Sequence, residues 1–437
     1  MVKAIGKILI AGIAGSIALA TPAHPQSDDA VEYTFLKGDT LYGLARDYFV
    51  SDDAALEVQR LNGIKNDRAI PIGKVITVPR SLLKWDPVIL RLDSFAGAVE
   101  IEDNGRLLAM RSQLPIPQNA IVSTGPRSFV SFKGEGMTAV SLPSNSRVQI
   151  KRARRYRLNN ALDVDLRVLR GRGEITAPKL KDGERFRTGT PLAVTAVRGT
   201  EFRVGFDELN ALALTEVTEG LVDISNDGVS VAAVAGTGVA SNSDGIGEPE
   251  DLLQAPEIVD RNSIQTDETL TFAVAPLESA AAYRVQIARD LTFTDVIDEQ
   301  VSASPQFEFE ALADGRYAVR ARAVASSGLE GFWLAGDPSF RRKRVGISAT
   351  VEPAPFADAY KFAWLPAGSG PSYTAFQMWR QDAPGTLIID EVGLDEGGFY
   401  VAGLAPGAYS WRIGTSAIDE GEVIKIWNEP LPLNVTD

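Results

Sequence analysis

Thr190-Pro191-Leu192-Ala193-Val194-Thr195-Ala196-Val197-Arg198-Gly199-Thr200-Glu201-Phe202-Arg203-Val204 carries no helical period. Val197-Arg198-Gly199-Thr200-Glu201 reads as a tight turn between strands, with Gly199 supplying the backbone freedom, and this is a simpler reading than a catalytic Glu201. Outward from this stretch, short apolar runs recur every eight to twelve residues, separated by Gly, Asn, Asp or Pro. Ala98-Val99-Glu100-Ile101, Phe129-Val130-Ser131-Phe132, Val148-Gln149-Ile150 and Leu221-Val222-Asp223-Ile224 are examples. The spacing predicts an all-β sandwich or solenoid-like stack over residues 86–240.

Composition narrows the chemistry. The 437 residues suffice for several domains, and 45% apolar with 23% charged residues is ordinary for globular chains. There is no cysteine and a single histidine, His24, in a Pro-rich stretch where no core can surround it. Cysteine nucleophiles, disulfides and Cys-based metal sites are therefore excluded, and Ser-His-Asp triads or HExxH zinc sites are not expected. No metal or cofactor site is expected: pairs such as Asp52-Asp53 lie at helix starts, where carboxylates favour the dipole. A net charge of −13 argues against nucleic acid as a partner.

The central segment resembles the FecR-type domain, a periplasmic β module first named from a sigma-factor signalling protein. The resemblance is carried by Thr124-Gly125, Phe129-Val130-Ser131-Phe132, Pro143-Ser144-Asn145-Ser146, Leu169-Arg170-Gly171-Arg172-Gly173, the stretch 190–204 and Glu219-Gly220-Leu221-Val222. It implies an all-β domain over 86–235 in a Gram-negative envelope. Signalling members place a cytosolic anti-sigma segment and a membrane helix ahead of it. This chain shows different features there, so a direct anti-sigma role is not expected.

Residues 31–80 have another character. Tyr33-Thr34-Phe35 reads as a strand, and Asp39 or Thr40 as the cap of a helix presenting Leu41, Leu44, Ala45 and Tyr48 on one face. Ser51 is expected to cap a second helix with Ala54, Val58 and Leu61 inward, ended by Asn62-Gly63, before the strand Val75-Ile76-Thr77-Val78. This unit resembles the LysM domain, which binds N-acetylglucosamine-containing glycans such as peptidoglycan and chitin. Tyr33 to Leu41, Leu61-Asn62-Gly63-Ile64 and Ile70 to Pro79 carry the match. The resemblance implies a shallow groove with Gly38, Asp39, Thr40 and Leu41 on one wall and Asn62, Ile64, Ile70 and Pro71 on the other. Each has a plainer structural reading too: Asp39 as a cap, Leu41 and Ile64 as core, Asn62 as a helix terminator.

The first residues pair Lys3 and Lys7 with a thirteen-residue apolar run, Ile8 to Ala20, ending Ala18-Leu19-Ala20. That is short of the roughly twenty residues that span a bilayer and matches a cleavable export signal, cut after Ala20 or Ala23. The mature chain is expected to carry no transmembrane segment and to lie in the periplasm, where the cell wall or outer membrane is the surface it would associate with. Lys151, Arg152, Arg154, Arg155 and Arg157 place five cations in seven residues. They read as a charged, solvated strand edge or as a patch for an anionic partner.

Residues 236–249 read as a flexible linker by composition. Beyond it, Leu312-Ala313-Asp314-Gly315-Arg316-Tyr317 is echoed 92 positions later by Leu404-Ala405-Pro406-Gly407-Ala408-Tyr409. This step looks like a tyrosine corner. Two tandem sandwiches are expected, at 250–345 and 350–437, each resembling a fibronectin type III-like domain. Trp333, Trp379 and Trp427 are read first as packing residues, and Arg341-Arg342-Lys343-Arg344 as a solvated junction.

The expected fold class is therefore multi-domain and mainly β, with a small βααβ module, and no enzyme is expected. The expected role is a non-catalytic envelope protein bound to peptidoglycan glycan, with β domains as a scaffold for envelope partners. A sensory or regulatory role through a membrane partner is the alternative. A carboxylate-dependent cell-wall hydrolase ranks last, because such enzymes resemble helical or α/β folds.

Overall fold

The computed structural model describes residues 29–134, 138–197, 199–259, 264–310, 312–336, 339–356, 358–394 and 397–436. The expected export signal, His24 and Arg198 lie outside them. The chain forms two compact units, Met1–Trp85 with Tyr156–Asn160, and Asp86–Arg155 with Ala161–Asp437.

In the first unit, Ala30–Thr34 pairs antiparallel with Val75–Pro79, and the helices Leu41–Tyr48 and Ala54–Leu61 lie between them in sequence. Thr40 rather than Asp39 caps the first helix, its hydroxyl accepting from Gly43 N at 3.0 Å. The second helix begins at Asp53 without a side-chain cap, and Ala54, Ala55 and Val58 face inward while Leu61 is exposed. Ser51 contributes only its backbone carbonyl, to Ala54 N, and the inward row stops a turn before Leu61. Tyr156 is fully buried in this unit, with the Arg80 guanidinium 5.5 Å from its ring.

In the second unit, Leu162–Thr176 joins two sheets. Its first part pairs with Arg147–Tyr156 and, in parallel, with Arg185–Gly189. From Gly171 onward it pairs with Glu201–Asp207 and Ala139–Leu142. Gly171 turns this corner at φ 70°, and a Cβ there would lie 2.5 Å from the Asn145 carbonyl oxygen and 2.6 Å from Ser146 Cα. The side chains between the sheets form one apolar core, including Leu92, Val122, Phe132, Ile150, Leu166, Phe186, Val204 and Ile224.

The segment expected to be a linker belongs to this domain. Thr237–Asn242 pairs with Leu212–Glu219, and Gly245–Ile246 and Glu250–Asp251 pair back onto it. Its small polar residues are those of a hairpin turn, in which Asp244 N donates to Asn242 Oδ1 at 2.9 Å, and Val239 and Ser241 are buried.

Two β-sandwiches follow. In the first, Ile258–Val259, Leu270–Val274 and Gln306–Phe309 face a sheet ordered Val296–Ser302, Ala280–Ala288, Gly315–Ala325, Ser339–Arg342. The second repeats this with Val345–Pro353, Ala359–Gly368 and Phe399–Ala402 over Leu387–Leu394, Ser372–Arg380 and Gly407–Asp419. The last strand takes Glu422–Trp427 along one half and Leu431–Val435 along the other. Both tyrosine corners form: Tyr317 donates to Ala313 O at 3.0 Å and Tyr409 to Ala405 O at 2.7 Å.

The tetrabasic junction is not a solvated linker. Arg342 is buried and donates to Gln265 O at 2.9 Å, Lys343 reaches Asp314 at 3.0 Å, and Arg341 pairs with Glu420 and Glu422. Each cation has a carboxylate or carbonyl waiting on one of the two sandwiches, so the run joins them.

Candidate functional site

The groove residues expected from sequence divide into two sets. Asp39 accepts from Tyr33 Oη at 2.8 Å and Leu36 N at 2.7 Å, which fixes the turn ahead of the first helix. Burial and this hydrogen bond to Asp39 raise the Tyr33 phenol to about 12. Asn62 Nδ2 donates to Val58 O and Thr77 O, and its Oδ1 accepts from Thr77 N at 2.7 Å, so its amide ties the helix end to the strand. Leu41 and Ile64 are buried. Leu41 and Ile64 thus pack inside, while Asp39 and Asn62 are half-buried and brace the turns. Gly38, Thr40 and Pro71 are exposed and Ile70 is half-buried.

Sequence reasoning missed Leu36 and Ile72, which are 60% and 69% exposed. Gly73 N donates to Phe35 O at 2.8 Å and Phe35 N to Lys74 O at 2.9 Å. The residues next to these links, Leu36 and Ile72, are thereby brought to one end of the strand pair. An apolar residue within two positions of a turn Gly, Gly38 or Gly73, was the signal available in the sequence.

The basic run is neither an edge nor an open cationic patch. Its strand, Arg147–Tyr156, pairs along one side with Leu162–Thr176; on the other side Ile121–Thr124 covers Arg147–Gln149, and within the run Val88 N donates to Ala153 O at 2.9 Å. Arg154 pairs with Asp163 at 3.1 Å, Arg155 with Glu184 at 3.5 Å, and Arg152 with Asp165. Asp163, fully buried, also receives Arg185 at 2.9 Å. Lys151 is half-buried and Arg157 exposed. The antiparallel hairpin puts acids opposite the cations, which a linear reading of the run does not reveal.

Within the second unit, the central domain meets the first sandwich through buried charge. Arg172 bonds Glu216 at 2.6 Å and Glu330 at 2.9 Å, and donates to Gly328 O at 2.6 Å. Arg203 reaches Glu216 at 3.3 Å and Gly331 O at 2.9 Å. From the sandwich side, Arg284 holds Glu299 at 2.7 Å and Glu330 at 2.8 Å, while Arg322 holds Glu174 at 2.6 Å and also Glu330. Burial opposes ionisation of Glu330, but Arg172, Arg284 and Arg322 outweigh it and hold the carboxyl well below its usual range. Glu174 is half-buried; desolvation opposes its ionisation, yet Arg322, Arg320 and Arg203 bring it down to about 2.

Trp333 lies against two of these cations, with Arg320 3.9 Å and Arg322 4.0 Å from its ring, so it packs in the interface as expected. Apolar contacts flank the charges: Phe129 with Phe293 and Val296, and Leu214 and Leu252 with Leu329. A cavity of about 600 Å³ opens beside them, lined by Phe206, Leu212 and Leu214 along with Arg172, Arg284 and Glu330. On its wall, Arg172 and Arg284 already bond Glu330.

Comparison with known proteins agrees with this division. A family model described as LysM domain matches residues 33–79, and one described as FecR protein matches residues 120–223. Comparison with curated proteins finds no match. Among solved structures, a proposed anti-sigma factor from Parabacteroides distasonis ATCC 8503 aligns at 16% identity and TM-score 0.26. That alignment covers 30% of this chain and 59% of the other, so this chain spans less than two thirds of that relative. The FN1–FN3 domains of chicken CNTN1 align at 13% identity over 56% of this chain and 95% of theirs, with a TM-score of 0.22. The fibronectin(III)-like modules of Clostridium thermocellum CbhA align at 14% over 40% and 90%, with a TM-score of 0.20. The sandwich assignment rests on the strand pairings and tyrosine corners described above.

The chain is thus a multi-domain, mainly β protein. It contains a LysM domain, a FecR-type domain and two fibronectin type III-like sandwiches. LysM and FecR-type domains are non-catalytic modules. Among the described residues, no group of three or more His, Asp or Glu could hold a metal ion, and no helix is long and apolar enough to cross a membrane.

Proposed function

We propose that this is an exported, periplasmic cell-envelope protein that attaches to the N-acetylglucosamine-containing glycan of peptidoglycan through its LysM domain. The remaining β domains serve as a firm platform for other envelope components. The observation that supports this reading most is the LysM domain at residues 33–79, with its exposed turn residues. Gly38 and Thr40 offer backbone and hydroxyl groups to sugar hydroxyls and N-acetyl amides. Leu36, Ile70, Pro71 and Ile72 offer apolar surface to methyl groups and sugar faces. Asp39, Leu41, Asn62 and Ile64 act indirectly, by holding those turns.

The test is co-sedimentation of the protein with purified peptidoglycan sacculi, beside the double variant Leu36→Glu/Ile72→Glu, with release of soluble fragments assayed in the same samples. Both side chains are exposed, so the variant is expected to fold. Pelleting that falls at least tenfold in the variant, without fragment release, supports the reading. Equal pelleting of both proteins, or none of the parent, overturns it.

A further inference from the structure

The second sandwich carries an exposed surface that the LysM reading does not use. Strand register sets it out. Tyr373 lies opposite Ser416, Gln377 opposite Arg412, Gly414 opposite Trp427 and Ile418 opposite Val423. Alternation along each strand therefore puts Gln377, Trp379, Arg412, Lys425 and Trp427 on one face, while Phe376, Met378, Trp411 and Ile413 point into the core. The outward face is open: Tyr373, Ile418 and Val423 are exposed, as is Lys425.

The centre of this face is ordered. Gly414 lets Trp427 lie close against the sheet, since a Cβ at 414 would stand 2.8 Å from the indole. The Arg412 guanidinium is 4.5 Å from the Trp427 ring and 5.7 Å from the Trp379 ring, and Lys425 Nζ is 4.6 Å from Trp427. Arg412 donates to Gln377 Oε1 at 2.9 and 2.7 Å, and Gln377 donates onward to Asp390 at 3.0 Å. Neither Arg412 nor Lys425 forms an ion pair with a described carboxylate, whereas Arg341, Lys343, Arg344 and Arg380 elsewhere on this sandwich and its junction do.

We propose that this face is a second binding surface, for a glycan that carries carboxylates. Half-buried indoles flanking Arg412 suit the apolar faces of sugar rings, and the two cations beside them suit carboxylates one sugar away. The choice of a glycan over an acidic protein rests on the envelope reading above; peptidoglycan, with its lactyl and peptide carboxylates, has this chemistry. Binding at two surfaces of one chain would raise its overall avidity.

The experiment is calorimetric titration of the full chain and its Lys425→Glu and Trp379→Ala variants with two probes: a carboxylate-bearing muropeptide and neutral chitotetraose. Thermal midpoints verify folding, and Lys425→Glu changes only an exposed side chain. The expected result is a roughly tenfold loss of muropeptide affinity in both variants, a weaker salt dependence in Lys425→Glu, and unchanged chitotetraose binding. Muropeptide affinity unaffected by both variants overturns the proposal and leaves the LysM reading to its own test. Binding of polyglutamate as tightly as muropeptide, with the same sensitivity to Lys425→Glu, also overturns it, because the face would then take acidic protein. Loss of chitotetraose binding in Leu36→Glu/Ile72→Glu, with muropeptide binding kept, supports two independent surfaces.

Discussion

Arg172 Nε and Glu330 Oε1 meet at 2.9 Å across the boundary between the FecR-type domain and the first sandwich, with side chains 12% and 2% exposed. Glu330 also receives Arg284 and Arg322, so one carboxylate answers three guanidinium groups from two domains. Replacing it with alanine leaves Arg172, Arg284 and Arg322 each with one carboxylate, Glu216, Glu299 and Glu174, and an excess of buried positive charge. Breaking a buried pair by removing one partner costs about 3–5 kcal/mol. Glu330→Ala is expected to lower the unfolding free energy by up to that order and to split a shared transition into two, measured by urea unfolding followed through tryptophan emission.

Glu174 gives the same interface a pH dependence. Its carboxyl is held at about 2 in the folded chain against an ordinary 4.5. A depressed folded pKa contributes stability that is fully present above the unfolded value and is lost as pH falls through the folded one. The Glu174 contribution should therefore be intact above about pH 5 and fade between about 4.5 and 2. Glu174→Gln is expected to be less stable at neutral pH and flatter across that acid window; denaturation curves at pH 7, 4 and 2.5 provide the check.

Tyr33 runs the other way. Its phenol is raised to about 12 by burial and by donation to Asp39, so the neutral form is favoured in the folded LysM domain. That contribution is complete below pH 10 and disappears as pH rises toward 12. Tyr33→Phe should cost the LysM domain about 0.5–1.5 kcal/mol at pH 7 and leave it less sensitive to alkali, measured by circular dichroism.

Gly171 sits where the long strand changes sheets at φ 70°. Alanine there meets both an unfavourable backbone region and the Asn145 carbonyl oxygen at 2.5 Å. A strained residue of this kind costs on the order of 1–3 kcal/mol before the clash is added. Gly171→Ala is expected to lower the thermal midpoint of the second unit while leaving that of the LysM domain in place, which calorimetry resolves.

The tyrosine corners differ in burial. Tyr409 is 2% exposed, and its hydroxyl donates to Ala405 O. Tyr409→Phe leaves that carbonyl without its partner and should cost about 1 kcal/mol, with less for Tyr317→Phe, whose hydroxyl bond lies at the surface. Guanidinium denaturation of the two variants gives the comparison.

The sequence displayed what is local. The helix face of Leu41, Leu44 and Ala45, the turn at Gly199 and the two Leu-to-Tyr corner steps each lie within a few residues of chain. What it concealed is set by strands far apart in sequence. Asp163 and Asp165 neutralise a basic run only because a hairpin folds them beside it. Thr237–Asn242 has the composition of a linker, yet its pairing with Leu212–Glu219 makes it a strand. Asn62 was legible as a helix terminator, but its grip on Thr77 depends on a strand fifteen residues away. The outward Trp379 and Trp427 could be named from sequence, but Arg412 between them could not, because the register that aligns them is long-range.

The shared charges at Glu330 also constrain inheritance. Arg172 comes from the FecR-type domain, and its carboxylate partner comes from the neighbouring sandwich. A FecR-type domain moved by recombination onto another sandwich would bury Arg172 and Arg203 without Glu330 and the carbonyls of Gly328 and Gly331. The two are thus a single unit of exchange: a viable chimera must transplant both together or change the arginines at the same time.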